Sequence, residues 1–376
     1  MNKNLIALTF LATILLLGVV RASRVSAQQP DNGWSTVLQL STGQGKAHEA
    51  SLVSDAYGYA HFFWTEELAD YSTMIFYTRF DGSSWSPPVD IHNLESFKHV
   101  GSLSPVVAQD GTLYLLWTDT TSHLSFLASA PAYNATSARY WSKPIEMNIP
   151  ANNAVLRIDS KGVFHVTYIL IEKEVGVYYM HSEDQGLTWS ERIWLDPGIK
   201  QEFTPSSLNF DIDNAGGLHV VWNYETFDGI GGDQVCYMHS LDGGLAWSKP
   251  KVLDSSTVLS DSLDFASPVM AIQGQTILVI WAAGEVPYRN QIISKDAGQT
   301  WTSPARIFGD LQGQAFEGLI VDGNGRFHYF GQVRYPRGIY HAVWDQDQWT
   351  APSLVYLIGD TSDLKNNLGE NETSTN

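Results

Sequence analysis

The sequence predicts an all-β chain in which six four-stranded antiparallel units close radially into a six-bladed β-propeller. Three observations predict it. A turn motif, Ser-x-Asp-x-Gly-x-(Thr/Ala)-Trp, occurs at Ser182, Asp184, Gly186, Thr188 and Trp189; at Ser240, Asp242, Gly244, Ala246 and Trp247; and at Ser294, Asp296, Gly298, Thr300 and Trp301. The tryptophans that close successive units lie roughly 50 to 60 positions apart, near the period of propeller blades. Each unit reads as four short apolar or alternating runs separated by turn residues.

The motif has a local physical logic. Asp accepts backbone N–H groups in a tight turn, Gly supplies a positive φ, and Trp buries a large ring while keeping one donor. Runs such as Val177-Tyr178-Tyr179-Met180-His181 precede it and Ser248-Lys249-Pro250-Lys251-Val252-Leu253 follows it, so it joins the third and fourth strands of a unit. The three copies resemble the Asp-box (bacterial neuraminidase, BNR) repeats of sialidase-like β-propellers. The repeated Asp, Gly and Trp positions themselves read as structural.

The 376 residues divide as follows. Residues 1–27 read as a secretory signal peptide: Lys3, an apolar run over 5–20, then Val25-Ser26-Ala27 as a small-residue cleavage site. This places the mature chain in a secreted or extracytoplasmic setting. Arg21 and Arg24 behind the apolar run leave an N-terminal membrane anchor as the alternative. Trp34-Ser35-Thr36-Val37-Leu38 resembles the strand after a box and is expected to take part in ring closure, either replacing the last strand near Trp349 or lying outside it. Units then close at Trp85, Trp141, Trp189, Trp247, Trp301 and Trp349; the second carries an insertion near 131–137 where the box has worn away. The propeller spans 28–358, and 359–376 is a polar tail of disordered composition. With one cysteine, Cys236, the chain forms no internal disulfide.

The chain has 22 basic and 40 acidic residues, a net charge of −18, and loss of Lys3, Arg21 and Arg24 with the signal takes it to −21. That argues against nucleic acid or an anionic membrane as partner, since both need a basic face. No membrane insertion of the mature chain, no cofactor and no bound metal are expected, and the propeller is expected to be a monomer.

Propeller function is sought in the loops at one mouth. Opposite the boxes lie the loops from second to third strand and from blade to blade. Second strands end in Trp64, Trp117, Trp222 and Trp281, with acids at Glu66, Glu67, Asp119, Glu172, Glu225 and Glu285. Indole faces stack on sugar rings and carboxylates bind hydroxyls, so a glycan or glycoconjugate is the expected partner; the same residues equally fit inter-blade core and solvated loop. The resemblance to sialidases implies three arginines on a sugar carboxylate, a Tyr–Glu nucleophile pair and an Asp acid/base. Arg289, Arg334 and Arg337 are the arginines in mouth loops. The family's Arg-Ile-Pro motif is missing; Lys46-Ala47-His48-Glu49-Ala50 stands in that region. Where the resemblance extends to catalysis, it implies Tyr335 with Glu225 as the pair and Asp119 as the acid. Substrate binding is assigned to Arg289, Arg334, Arg337, Glu66, Glu285, Trp64 and Trp117. Two functions are carried forward: a secreted propeller that binds carbohydrate, and an exo-glycosidase of divergent exo-α-sialidase type, a retaining glycoside hydrolase. A structural or protein-binding propeller is a third.

Overall fold

The computed structural model describes residues 34–358 apart from 95–97, 152, 171–173, 197–202, 227–231, 256–265, 284–287 and 335. The signal segment, the polar tail, Glu172, Glu285 and Tyr335 lie outside the described residues.

Six antiparallel sheets, each following chain order, make the blades. Blade 1 is β1 (Lys46–Ser54), β2 (Ala60–Glu67), β3 (Thr73–Phe80) and β4 (Val89–Leu94). Blade 2 is β5 (Val100–Val107), β6 (Thr112–Asp119), β7 (Leu124–Pro131) and β8 (Ile145–Pro150). Blade 3 is β9 (Asn153–Ile158), β10 (Phe164–Leu170), β11 (Gly176–Ser182) and β12 (Ile193–Asp196). Blade 4 is β13 (Phe203–Ile212), β14 (Leu218–Thr226), β15 (Gly232–Ser240) and β16 (Lys251–Ser255). Blade 5 is β17 (Ala266–Gln273), β18 (Thr276–Ala283), β19 (Tyr288–Ser294) and β20 (Ala305–Ile307). Blade 6 is β21 (Gly313–Val321), β22 (Phe327–Val333) and β23 (Gly338–Asp345), with the two-residue β24 (Gln348–Trp349) at a turn and β25 (Ser353–Leu357) as the outer strand.

The repeated turn forms as its chemistry dictates. Ser182 Oγ donates to Asp184 Oδ1 (2.8 Å) and accepts the Gly186 amide (2.9 Å), while Asp184 accepts the Thr188 amide (2.8 Å) and hydroxyl (2.6 Å). Trp189 Nε1 then donates back to the Gly186 carbonyl (3.1 Å). Asp296 repeats this with Ser294 and Thr300, and Asp242 keeps the bonds from Ser240 and the Ala246 amide. The ring of each closing Trp packs into the interface with the preceding blade: Trp141, Trp189, Trp247, Trp301 and Trp349 in turn. Burial of such a ring stabilises by on the order of 2–3 kcal/mol.

A second repeat couples the blades. In blades 1, 3 and 4 an Asp at the first turn faces a buried His, whose Nδ1 meets a buried Tyr hydroxyl. The sets are Asp55–His61–Tyr77, Asp159–His165–Tyr179 and Asp213–His219–Tyr237, with His–Tyr distances of 2.7, 2.7 and 2.6 Å. In blade 6, Asp322 and His328 continue to His341 instead. The hydroxyls of Tyr179 and Tyr237 reach the next blade's turn. A Cβ on Gly244 (φ +93°) would meet Tyr179 Oη at 2.2 Å, and one on Gly298 (φ +84°) would meet Tyr237 Oη at 1.9 Å. Those two glycines are demanded by backbone conformation and by the neighbouring blade.

Five apolar clusters fill the five interfaces from blades 1/2 to 5/6. The seam between blades 6 and 1 is built differently. Residues 34–45, which hold no strand, bridge it: Trp34 packs edge-on against Phe330 and His341 of blade 6, and Thr42 is bonded to Glu66 of blade 1. β25 pairs with β23 through Gly338↔Leu357 and Tyr340↔Leu354. The blade is thus completed from the C-terminal side, and the Trp34 segment lies outside it.

Candidate functional site

In every blade the end of the second strand, the start of the third and the start of the first lie at one end of the ring, the mouth. There the innermost strands of blades 1, 2, 4, 5 and 6 break register, for example between His48 and Ser51, Ser206 and Asn209, and Ala266 and Val269. Glu49, Ser207 and Ser267 sit at these breaks with φ of 40°, 46° and 48°. Bulges of this kind re-aim side chains at sheet ends and gather beside functional sites. Below the rim a cavity of about 350 Å³ opens on the axis, lined by polar groups including Ser51, Ser102, Ser104, Asn153, Arg157 and Asn209.

Trp64 and Trp117 are 2 % and 1 % exposed, and Trp222 and Trp281 are fully buried. Trp64 stacks on Phe62 and Phe76, and Trp117 stacks on Phe126. Rings closed in by their own sheets offer no face to a sugar. Glu66 is also buried: it accepts the Thr42 amide and hydroxyl, both at 2.6 Å, and Trp64 Nε1 at 2.8 Å. Its carboxylate fastens the bridging segment. These bonds hold it below the usual carboxylate range although burial, the largest single influence, pushes the other way. Asp119 is buried and caps its own loop, accepting the Thr121 amide (2.9 Å) and Ser122 hydroxyl (2.7 Å), with Lys98 Nζ at 3.8 Å. A carboxylate so enclosed and bonded is poorly placed to pass a proton to substrate.

Other acids keep capacity. Glu67 lies 3.7 Å from His99 Nδ1 in a cavity of about 230 Å³ that His48, Glu49, Thr65, Thr73 and Val100 complete. Burial raises the Glu49 carboxyl, against a pull downward from His48. Glu225 is half-buried, with Asn223 Nδ2 at 3.5 Å.

The arginines separate into two kinds. Arg289 is 2 % exposed. Its Nε donates to Tyr329 Oη (2.9 Å) and its Nη2 to the Gln332 carbonyl (3.0 Å) and to Glu317, which also accepts the Tyr329 hydroxyl. Burial pushes Glu317 up against the opposing pull of Arg289. Gly313 makes room for the guanidinium, since a Cβ there would meet Arg289 Nη1 at 1.4 Å. These bonds commit the Arg289 guanidinium to Tyr329, Glu317 and the Gln332 carbonyl, between blades 5 and 6. Tyr329 was not among the sequence candidates, because nothing local marks a tyrosine mid-strand as the partner of an acid twelve residues earlier. Arg334 and Arg337, by contrast, are exposed on the β22–β23 loop and hold no side-chain partner among the described residues. The loop itself is fixed by Arg334 N to the Gln312 carbonyl and Ile358 N to the Arg337 carbonyl, both 2.8 Å. The other described arginines are engaged: Arg157 with Asp211, Arg192 with Glu174, Arg306 with Asp310, Arg326 with Asp322, Arg79 with two carbonyls and Arg139 with Tyr140.

Among the described residues no cluster of three or more His, Cys, Asp or Glu could hold a metal ion, and no helix is long and apolar enough to cross a membrane.

No family model matches the chain, and no curated protein matches it. Solved structures do. A protein of unknown function from Dyadobacter fermentans is 13 % identical, with 80 % of this chain and 94 % of that one covered and a TM-score of 0.54. A triple mutant of AofleA from Arthrobotrys oligospora is 11 % identical, with 84 % and 88 % covered and a TM-score of 0.51. The NanB sialidase from Streptococcus pneumoniae aligns at 12 % identity over 87 % of this chain and 64 % of its own, TM-score 0.43; ulvan lyases of a polysaccharide lyase family are also among the neighbours. At these identities the likeness is one of fold: a six-bladed propeller whose structural neighbours include sialidases and polysaccharide lyases.

Proposed function

We propose that this chain is a carbohydrate-binding propeller that takes an acidic sugar at its mouth, with Arg334 and Arg337 on the sugar's carboxylate. One observation carries the reading. In a chain of net charge −18, two neighbouring guanidinium groups stand exposed on an anchored mouth loop, with no side-chain partner among the described residues. Guanidinium forks grip carboxylates bidentately. Glu67, His99 and Glu225 around the rim supply acceptors and donors for sugar hydroxyls. The Asp-box resemblance of the repeated turns and the secretory reading of residues 1–27 agree with a protein that meets glycans outside the cytoplasm. The test is a printed glycan panel probed with the purified protein. Sialic- or uronic-acid-terminated glycans are retained over neutral counterparts, and Arg334→Ala loses them; equal retention by the variant would refute the reading.

The exo-glycosidase alternative has its own support in the hydrogen-bonded Tyr329–Glu317 pair with Arg289 beside it, the grouping that the sialidase resemblance implies. Its side chains are enclosed, Arg289 and Glu317 each 2 % exposed, so turnover requires that the blade 5/6 rim open. Hydrolysis of a fluorogenic α-sialoside that vanishes in Tyr329→Phe, a variant that keeps the ring packing, would favour this reading over binding alone.

A further inference from the structure

On the face opposite the mouth, a cavity of about 630 Å³ opens between the turns of blades 1 and 2. It lies within the range of roughly 300–1,000 Å³ of small-molecule sites. Two tyrosines flank it and are among the most exposed large side chains of the molecule: Tyr57, 83 %, and Tyr133, 78 %. Both stand on anchored backbone. Tyr57 sits in a turn whose Asp55 Oδ1 accepts the amides of Tyr57 and Tyr59, each at 2.9 Å. Tyr133 sits in the β7–β8 insertion. Arg79 Nη1 of blade 1 donates to the carbonyls of Ala132 (3.2 Å) and Tyr133 (3.1 Å), and Trp141 Nε1 pins the carbonyl of Ala135 at 3.0 Å.

The repeat does not ask for either ring. The turn of Tyr57 recurs in blades 3, 4 and 6 with the same Asp-to-amide bond, and the matching positions are Lys161, Ala215 and Asn324. The insertion that carries Tyr133 departs from the blade pattern in blade 2. Two departures from the repeat meet at one cavity, and both put an aromatic ring in solvent. A ring left in water forgoes the stabilisation that burial gives it, so folding does not explain them.

The geometry points to a site for a neutral saccharide. Tyrosine ring faces carry negative potential and attract the polarised C–H face of a pyranose. The exposed Gln109 amide and Asp110 carboxylate on the cavity wall are hydrogen-bonding groups for hydroxyls. Asp55 and Asp110 make the lining acidic, no cation is among the lining residues, and Arg79, which lies over the Tyr59 ring at 4.8 Å, is committed to two carbonyls. An anionic sugar is disfavoured there. The site is independent of the mouth reading and stands or falls separately.

The test is titration of the purified protein with maltohexaose, cellohexaose, mannohexaose and xylohexaose, and with a hexaproline peptide as the competing chemistry for an aromatic groove. At least one of the four saccharides binds, and both Tyr57→Ala and Tyr133→Ala weaken it at least tenfold. Arg334→Ala, at the other face, leaves it unchanged. Both tyrosines are exposed, so the variants keep the fold, checked by an unchanged thermal midpoint. The proposal is overturned by no binding of any of the four, by binding indifferent to both tyrosines, or by hexaproline binding through them in place of sugar.

Discussion

Arg289 and the pair Arg334 and Arg337 come from adjacent blades and from the same end of the ring, yet the fold uses them in opposite ways. Arg289 spends its guanidinium on Tyr329, Glu317 and the Gln332 carbonyl and is enclosed. Arg334 and Arg337 spend only their backbones and leave their side chains in water. The acids divide the same way, with Glu66 and Asp119 consumed by local architecture and Glu67 facing a cavity. Position at a mouth does not leave a residue available to a ligand; unspent bonding capacity there does.

The contrast fails first at Arg289. Arg289→Met strands a buried carboxylate and phenol, and should lower the unfolding free energy by about 3–5 kcal/mol in denaturant titration; a loss below 1 would mean that the cluster is not the structural one described. Gly298→Ala comes next. It combines a strained φ with a clash on Tyr237 Oη, and should cost about 2–4 kcal/mol by the same measurement. Glu66→Gln should cost about 1–3 kcal/mol and, more specifically, should speed hydrogen exchange at the Thr42 amide. Unchanged exchange there would show that residues 34–45 are held by something other than this carboxylate.

Acid should act through two sets of groups. Burial lowers His61, His165 and His219 from the ordinary 6.5. An imidazole lowered in the folded state binds protons more readily when unfolded, so its contribution is intact above about 6.5 and is lost progressively as pH falls below it. Asp184 and Asp296 are pulled down to about 2, chiefly by the hydroxyls of Thr188 and Thr300. What they contribute persists above the ordinary 3.8 and disappears as pH falls towards 2. Thermal midpoints measured from pH 8 to 3 should begin to fall near 6.5, and His219→Gln should soften that first decline.

Much of the fold was legible because turn chemistry is local. Asp, Gly and Trp of the repeated turn declare themselves within eight residues, and their spacing gives the blades. The Asp–His–Tyr repeat was equally present, as Asp55/His61, Asp159/His165, Asp213/His219 and Asp322/His328. It went unread because its Tyr lies 14 to 18 residues beyond the His, on the next strand. The site was legible only in part. Glu66 at the end of a strand looks like any mouth acid until Thr42, 24 residues earlier, is seen to occupy it. A tryptophan ending a second strand gives no sign of which face it turns to, and Trp64 and Trp117 turned inward. Ring closure had two readings in sequence, and only the pairing of β25 with β23 separates them.

The most direct test is calorimetric titration of sialyllactose and of lactose into the wild-type protein and the Arg334→Ala/Arg337→Ala double variant. Surface substitutions of this kind should leave stability within about 0.5 kcal/mol. The account predicts that wild type prefers sialyllactose and that the double variant loses that preference while still melting as wild type does. An undiminished preference in the double variant, or none in wild type, would contradict the claim that these two exposed arginines make the mouth a site for an acidic sugar.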